Sequence, residues 1–127
     1  MKKAGWIMTA LLLVFLLPAS VAPKFMGMQA AVDSLTQIGW PTGYLFSLGV
    51  LELVLLVLFA VPRTGPLGAV LFTALLGGTV ASHLRADSPL ASHTLFGVYL
   101  GAFMWVALYL RDPLFREFVQ KRLFGRG

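Results

Sequence analysis

Glu52 stands about midway along an otherwise apolar run from Tyr44 to Val61. Insertion scales assign an acidic side chain at the centre of a membrane helix a cost of roughly 2.5 to 3.5 kcal/mol, so such a residue implies a partner and, by default, a function. The partners within reach are basic or polar groups that flank other apolar runs: Lys24, His83 and Arg85, with Thr79 on an adjoining helix face. Helical side chains lean toward their own N-terminus. In helices running outward, Lys24, His83 and Arg85 therefore lean inward, whereas Glu52, on a helix running inward, leans outward. At 1.5 Å per residue Glu52 starts roughly 12 Å below the outer end of its helix, a gap that long basic side chains largely close. Gly49, one turn above, leaves room for the approaching group. The expectation is a Glu52 pair with Arg85 or Lys24 in a small polar pocket open to the outer leaflet, holding a polar headgroup such as quinone. The competing expectation is a structural ion pair that fixes helix register.

Other chemistry has less support. His83 and His93 are the only histidines, and cysteine is absent, which excludes disulfides and thiolate metal sites and leaves no recognisable metal spacing. No metal site is expected. Ser82 and His83 are adjacent and so lie on different helical faces, and no nucleophile-elbow motif occurs. Gly77-Gly78 falls within a span and is not a phosphate loop. Trp105 and Tyr109 read as anchors at a membrane interface rather than a cofactor box.

The elements that must position Glu52 follow from composition. Of 127 residues 58% are hydrophobic and 12% charged, against roughly 25% charged in an average soluble domain. The expected fold is all-α: a single domain forming a membrane four-helix bundle, with spans at about 5–22, 44–61, 67–84 and 95–110. Pro18 should kink the first span near its outer end. Between Lys24 and Pro41, Phe25, Met28, Val32, Leu35 and Ile38 alternate with Gln29, Asp33, Thr36 and Gln37, an amphipathic pattern that suits the membrane surface. Ala74, Gly78 and Ser82 form one small-residue ridge and Gly97-x-x-x-Gly101 another, along which neighbouring backbones approach. Asp112 should cap a final helix with Pro113 at its first position. Leu114, Phe115, Phe118 and Val119 would there face lipid, while Arg116, Lys121 and Arg122 face anionic headgroups.

The net charge of +5 lies at span ends and in the tail without interleaved aromatics, which argues for the lipid bilayer as partner and against nucleic acid. With four spans, one side holds Lys2, Lys3, Arg63, Arg111, Arg116, Lys121, Arg122 and Arg126, and the other only Lys24 and Arg85. Both termini are therefore expected in the cytoplasm of a multi-pass cell-membrane protein. Met1 to Pro23 resembles a secretory signal, but its length and the proline after Ala22 favour a retained first helix.

Several short motifs, in order, are similar to those of one family: Lys24-Phe25-x-Gly27, Gly39-x-Pro41, Leu48-Gly49-Val50-Leu51-Glu52, Pro62-Arg63-Thr64, Gly77-Gly78-x-x-Ala81-x-His83-x-Arg85 and Leu110-Arg111-Asp112-Pro113. Together they resemble the DoxX-like family of small four-helix membrane proteins over nearly the whole chain. The family takes its name from a membrane subunit of a thiosulfate:quinone oxidoreductase, and some relatives are associated with redox partners. The resemblance implies an accessory or quinone-interacting subunit of a membrane redox system, with no intrinsic cofactor, quinone as its ligand and a membrane or peripheral redox partner. The alternative is a non-enzymatic protein that binds lipid or another small amphipathic ligand, or acts as a scaffold. Function has to be argued from the site in either case.

Overall fold

The computed structural model describes residues 1–125, apart from the side chains of Ser92 and His93. His93, expected at the outer face, and Arg126, expected with the basic tail, lie outside the described residues. The described residues form helices and no strand. We label α1 Lys2–Met26, α2 Gln29–Gln37, α3 Thr42–Ala60, α4 Pro62–Arg85, α5 Phe96–Arg111 and α6 Pro113–Phe118, the last continued by a π-helical turn, Val119–Leu123. Helices α1, α3 and α4 are long and apolar enough to cross a membrane, and α5 is a shorter apolar helix of 16 residues. Helix α1 packs along α5 and meets α3 near its C-terminal end, while α4 packs against both α3 and α5.

Local chemistry sets the boundaries. Pro18 does not end α1. Having no amide donor, it sits in a π-helical turn, Leu17–Val21, through which the helix continues. Gly27 then stops α1 in the left-handed conformation at φ 63°, with the Met28 amide bonded back to the Pro23 carbonyl. Lys24 and Phe25 consequently belong to the first helix rather than to the amphipathic segment. That segment is confined to α2, whose Leu35 and neighbouring Ile38 pack on Leu45 at the start of α3. Thr64 Oγ1, in the first turn of α4, donates to the Leu58 carbonyl at 2.7 Å and ties the start of α4 to the end of α3.

The main core joins Leu12 and Leu16 of α1, Leu56 and Phe59 of α3, Ala69 and Phe72 of α4, and Met104 and Leu108 of α5. Two glycines permit backbone approach. A Cβ on Gly5 would stand 2.5 Å from the Arg111 amide nitrogen, and one on Gly68 2.3 Å from that of Phe59. The ridge expected at Ala74, Gly78 and Ser82 is not such a contact: Gly78 has nothing within 4 Å of an added Cβ, because this face of α4 points away from the core. The α5 ridge does face α4, with Gly97 against Val80 and Thr79.

Candidate functional site

Helix α3 carries no charged residue but Glu52, and its buried positions Leu45, Gly49, Glu52, Leu56 and Phe59 recur at alternating four- and three-residue steps. That spacing is one helical face. Glu52 therefore points at α1 and is 8% exposed. On α1, the regular face of Gly5, Thr9, Leu12 and Leu16 is followed by Val21. The extra residue of the π turn shifts the phase of the helix beyond it and lays Ser20 and Lys24, one turn apart, against Glu52.

Lys24 Nζ lies 3.3 Å from Glu52 Oε2. Ser20 Oγ donates to the same oxygen at 3.1 Å. Lys24 Nζ also donates to Ser20 Oγ at 2.7 Å and to the Ser20 carbonyl at 3.3 Å. An ammonium has three donors, and these acceptors engage all of them. Glu52 Oε1, by contrast, is buried and has no hydrogen-bond donor among the described residues. Gly49 makes the approach feasible, since a Cβ there would meet the Lys24 Cβ at 3.0 Å. Beside it the Phe25 and Phe46 rings meet edge-on at 5.1 Å between centroids.

The other expected members of the cluster are engaged elsewhere. Arg85 Nη2 donates to the Ile38 carbonyl at 3.1 Å, so it closes the C-terminal end of α2 rather than pairing with Glu52. Thr79 Oγ1 donates to the Leu76 carbonyl at 2.7 Å, at the contact with Gly97. His83 Nδ1 lies 3.0 Å from Ser88 Oγ. A cavity of about 390 Å³ at that end is lined by Trp40, Ser82 and Arg85 and does not include Glu52. No group of three or more His, Cys, Asp or Glu suited to hold a metal occurs among the described residues. Ser20 was not anticipated, although its place one turn before Lys24 is a signal the sequence carries.

A second polar centre was also missed. Arg111, at the end of α5, is 3% exposed. Its Nη1 donates to Thr9 Oγ1 at 2.8 Å and its Nη2 to the Phe59 carbonyl, so one guanidinium joins α1, α3 and α5. The Trp6 and Phe59 rings flank it, with centroids 4.4 and 4.3 Å from Cζ. Beyond it, Asp112 caps α6 as expected, accepting from the Phe115 amide at 3.1 Å. Two tail residues depart from expectation. Phe115 packs inward on Trp105, and Arg116 donates to the Tyr109 and Leu110 carbonyls, which the end of α5 leaves unpaired.

The family model described as the DoxX-like family matches residues 7–107, a stretch that holds Ser20, Lys24 and Glu52 and ends short of Arg111. No curated protein and no solved structure matches the chain.

Proposed function

The chain belongs to the DoxX-like family, and from that premise we propose that it is an accessory subunit of a membrane redox system whose Ser20–Lys24–Glu52 cluster takes the headgroup of a quinol. It is a multi-pass membrane protein, its apolar helices in contact with lipid. In this reading α5 completes four crossings, lengthened by the helical turn Leu90–Thr94 before it. Both termini are then cytoplasmic, by the basic asymmetry.

The observation that carries the ligand reading is the undonated Oε1 of Glu52. A buried acceptor left unpaired costs about 1 to 3 kcal/mol, more for a charged group. With every Lys24 donor engaged, the cluster offers an acceptor and no spare donor. It suits a ligand that donates, and a quinol hydroxyl does so where a quinone carbonyl does not. Binding and the hydrogen bond belong to this chain, and oxidation of the bound quinol is assigned to a partner.

The saturation of Lys24 by its own neighbours favours a second reading. There the pair fixes the register of α1 on α3 in a non-enzymatic lipid-binding or scaffold protein. Anaerobic equilibrium binding of menadiol and menadione to protein in nanodiscs separates the two. Under the ligand reading, wild type binds menadiol in preference to menadione, and Glu52→Gln, still folded by circular dichroism, loses about tenfold or more, as loss of a charge-assisted hydrogen bond implies. Equal binding by the folded variant, or no binding to wild type, leaves only the structural pair.

A further inference from the structure

At the end of the helices remote from Glu52, a groove of about 670 Å³ opens between the start of α1, the turn joining α3 to α4 and the elbow between α5 and α6. Lys2, Arg63 and Arg111 line it, opposed by the single carboxylate of Asp112. That carboxylate is engaged by the Phe115 amide. None of the three cations has a carboxylate within ion-pair distance among the described residues, where the ion pairs are Lys24–Glu52 and Lys121–Glu117. Arg111 donates to a hydroxyl and a carbonyl, neutral acceptors that engage two of the five N–H donors of a guanidinium and supply no negative charge.

The rest of the lining is apolar and includes Trp105, Leu114 and Phe118. Leu114 and Phe118 are 78% and 55% exposed. A small anion would answer the charge and leave this wall uncovered; a neutral lipid would do the reverse. We propose that the groove binds an anionic phospholipid, its phosphate held by Lys2 and Arg63 in front of the buried Arg111 and an acyl chain lying over Leu114 and Phe118. Charge complementarity selects the headgroup, and the apolar rim selects a lipid over a free phosphate ion. The site shares no residue with the Glu52 cluster and stands independently of it.

Native mass spectrometry of the full chain, released from detergent with phosphatidylglycerol or with phosphatidylcholine of the same acyl chains, tests this. Phosphatidylglycerol should be retained preferentially. Lys2→Gln and Arg63→Gln should each weaken its retention about fivefold and together about 25-fold, at roughly 1 kcal/mol for each basic group near a membrane surface. Both side chains are exposed, so the variants keep the fold, which circular dichroism checks. Equal retention of the two lipids overturns the proposal, as does wild-type retention by the double variant. Displacement of phosphatidylglycerol by inorganic phosphate would also overturn it, by showing a small-anion site.

Discussion

Lys24 and Glu52 face each other across α1 and α3 at 3.3 Å, and Gly49, one turn from Glu52, is what lets the two helices come that close. The pair is mostly withdrawn from solvent, with side chains 21% and 11% exposed. Removing one partner leaves the other charge buried and unanswered, whereas removing both restores a neutral contact. Lys24→Met should therefore destabilise by about 3 kcal/mol, and Lys24→Met combined with Glu52→Leu should recover most of that loss. A thermal double-mutant cycle in detergent measures the coupling, and additive effects would sink the argument.

Gly68 and Gly78 lie on the same helix and should respond oppositely to alanine. A Cβ at Gly68 would press on the Phe59 backbone, which cannot move aside, whereas at Gly78 it meets nothing. Gly68→Ala should cost about 1 to 3 kcal/mol or more through overpacking. Gly78→Ala should be neutral or stabilising by up to about 1 kcal/mol, from helix propensity. Unfolding midpoints of the two variants give the comparison. A strongly destabilised Gly78→Ala would mean that this face of α4 is covered by something.

Arg111 supports three helices through two hydrogen bonds, and lysine cannot reproduce that planar fork. Arg111→Lys should lose about 2 kcal/mol or more, since the buried Phe59 carbonyl and the Thr9 hydroxyl cannot both be served. Thr9→Val, which removes only one acceptor, should lose less. Denaturation of the three proteins ranks them, and equal stability of wild type and Arg111→Lys would remove the guanidinium from this role.

In the tail, the Lys121 ammonium of the π-helical turn donates to Glu117 of α6 at 2.7 Å and holds its carboxyl below the usual carboxylate range, first by the hydrogen bond and then by charge. A carboxyl whose folded value is depressed stabilises the fold above the unfolded value and loses that contribution as pH falls through the folded one. Helicity of the tail should therefore hold from neutral pH down to about 4.3, the ordinary glutamate value, and fall below it. Lys121→Gln should remove that dependence. Asp112→Ala should weaken the same helix by about 1 kcal/mol, the usual worth of a lost cap. Hydrogen exchange of the tail amides reads both effects.

The amino-acid sequence by itself determined the class of the fold, the positions of the apolar helices to within a few residues, the cap at Asp112, and the need of Glu52 for a cation. Each of these rests on short-range physics: the length of an apolar run, a proline or glycine at a helix end, or the cost of a lone charge in a low-dielectric region. Lys24 could be named as a partner on those grounds, but so could Arg85, because both lie at helix ends within plausible reach. Only the tertiary structure chose between them. The π turn at Pro18 rotated Ser20 and Lys24 toward α3, while the carbonyl-rich end of α2 drew Arg85 away. The buried faces of α3 and α4 were equally undetermined, since in a membrane protein core and lipid are both apolar and the hydrophobic periodicity that marks a buried face in water is erased. That is why the Gly78 ridge turned outward and Gly68 inward. It is also why Arg111, read from the sequence as one more basic residue at a helix end, proved to be a buried tie between helices far apart in the chain.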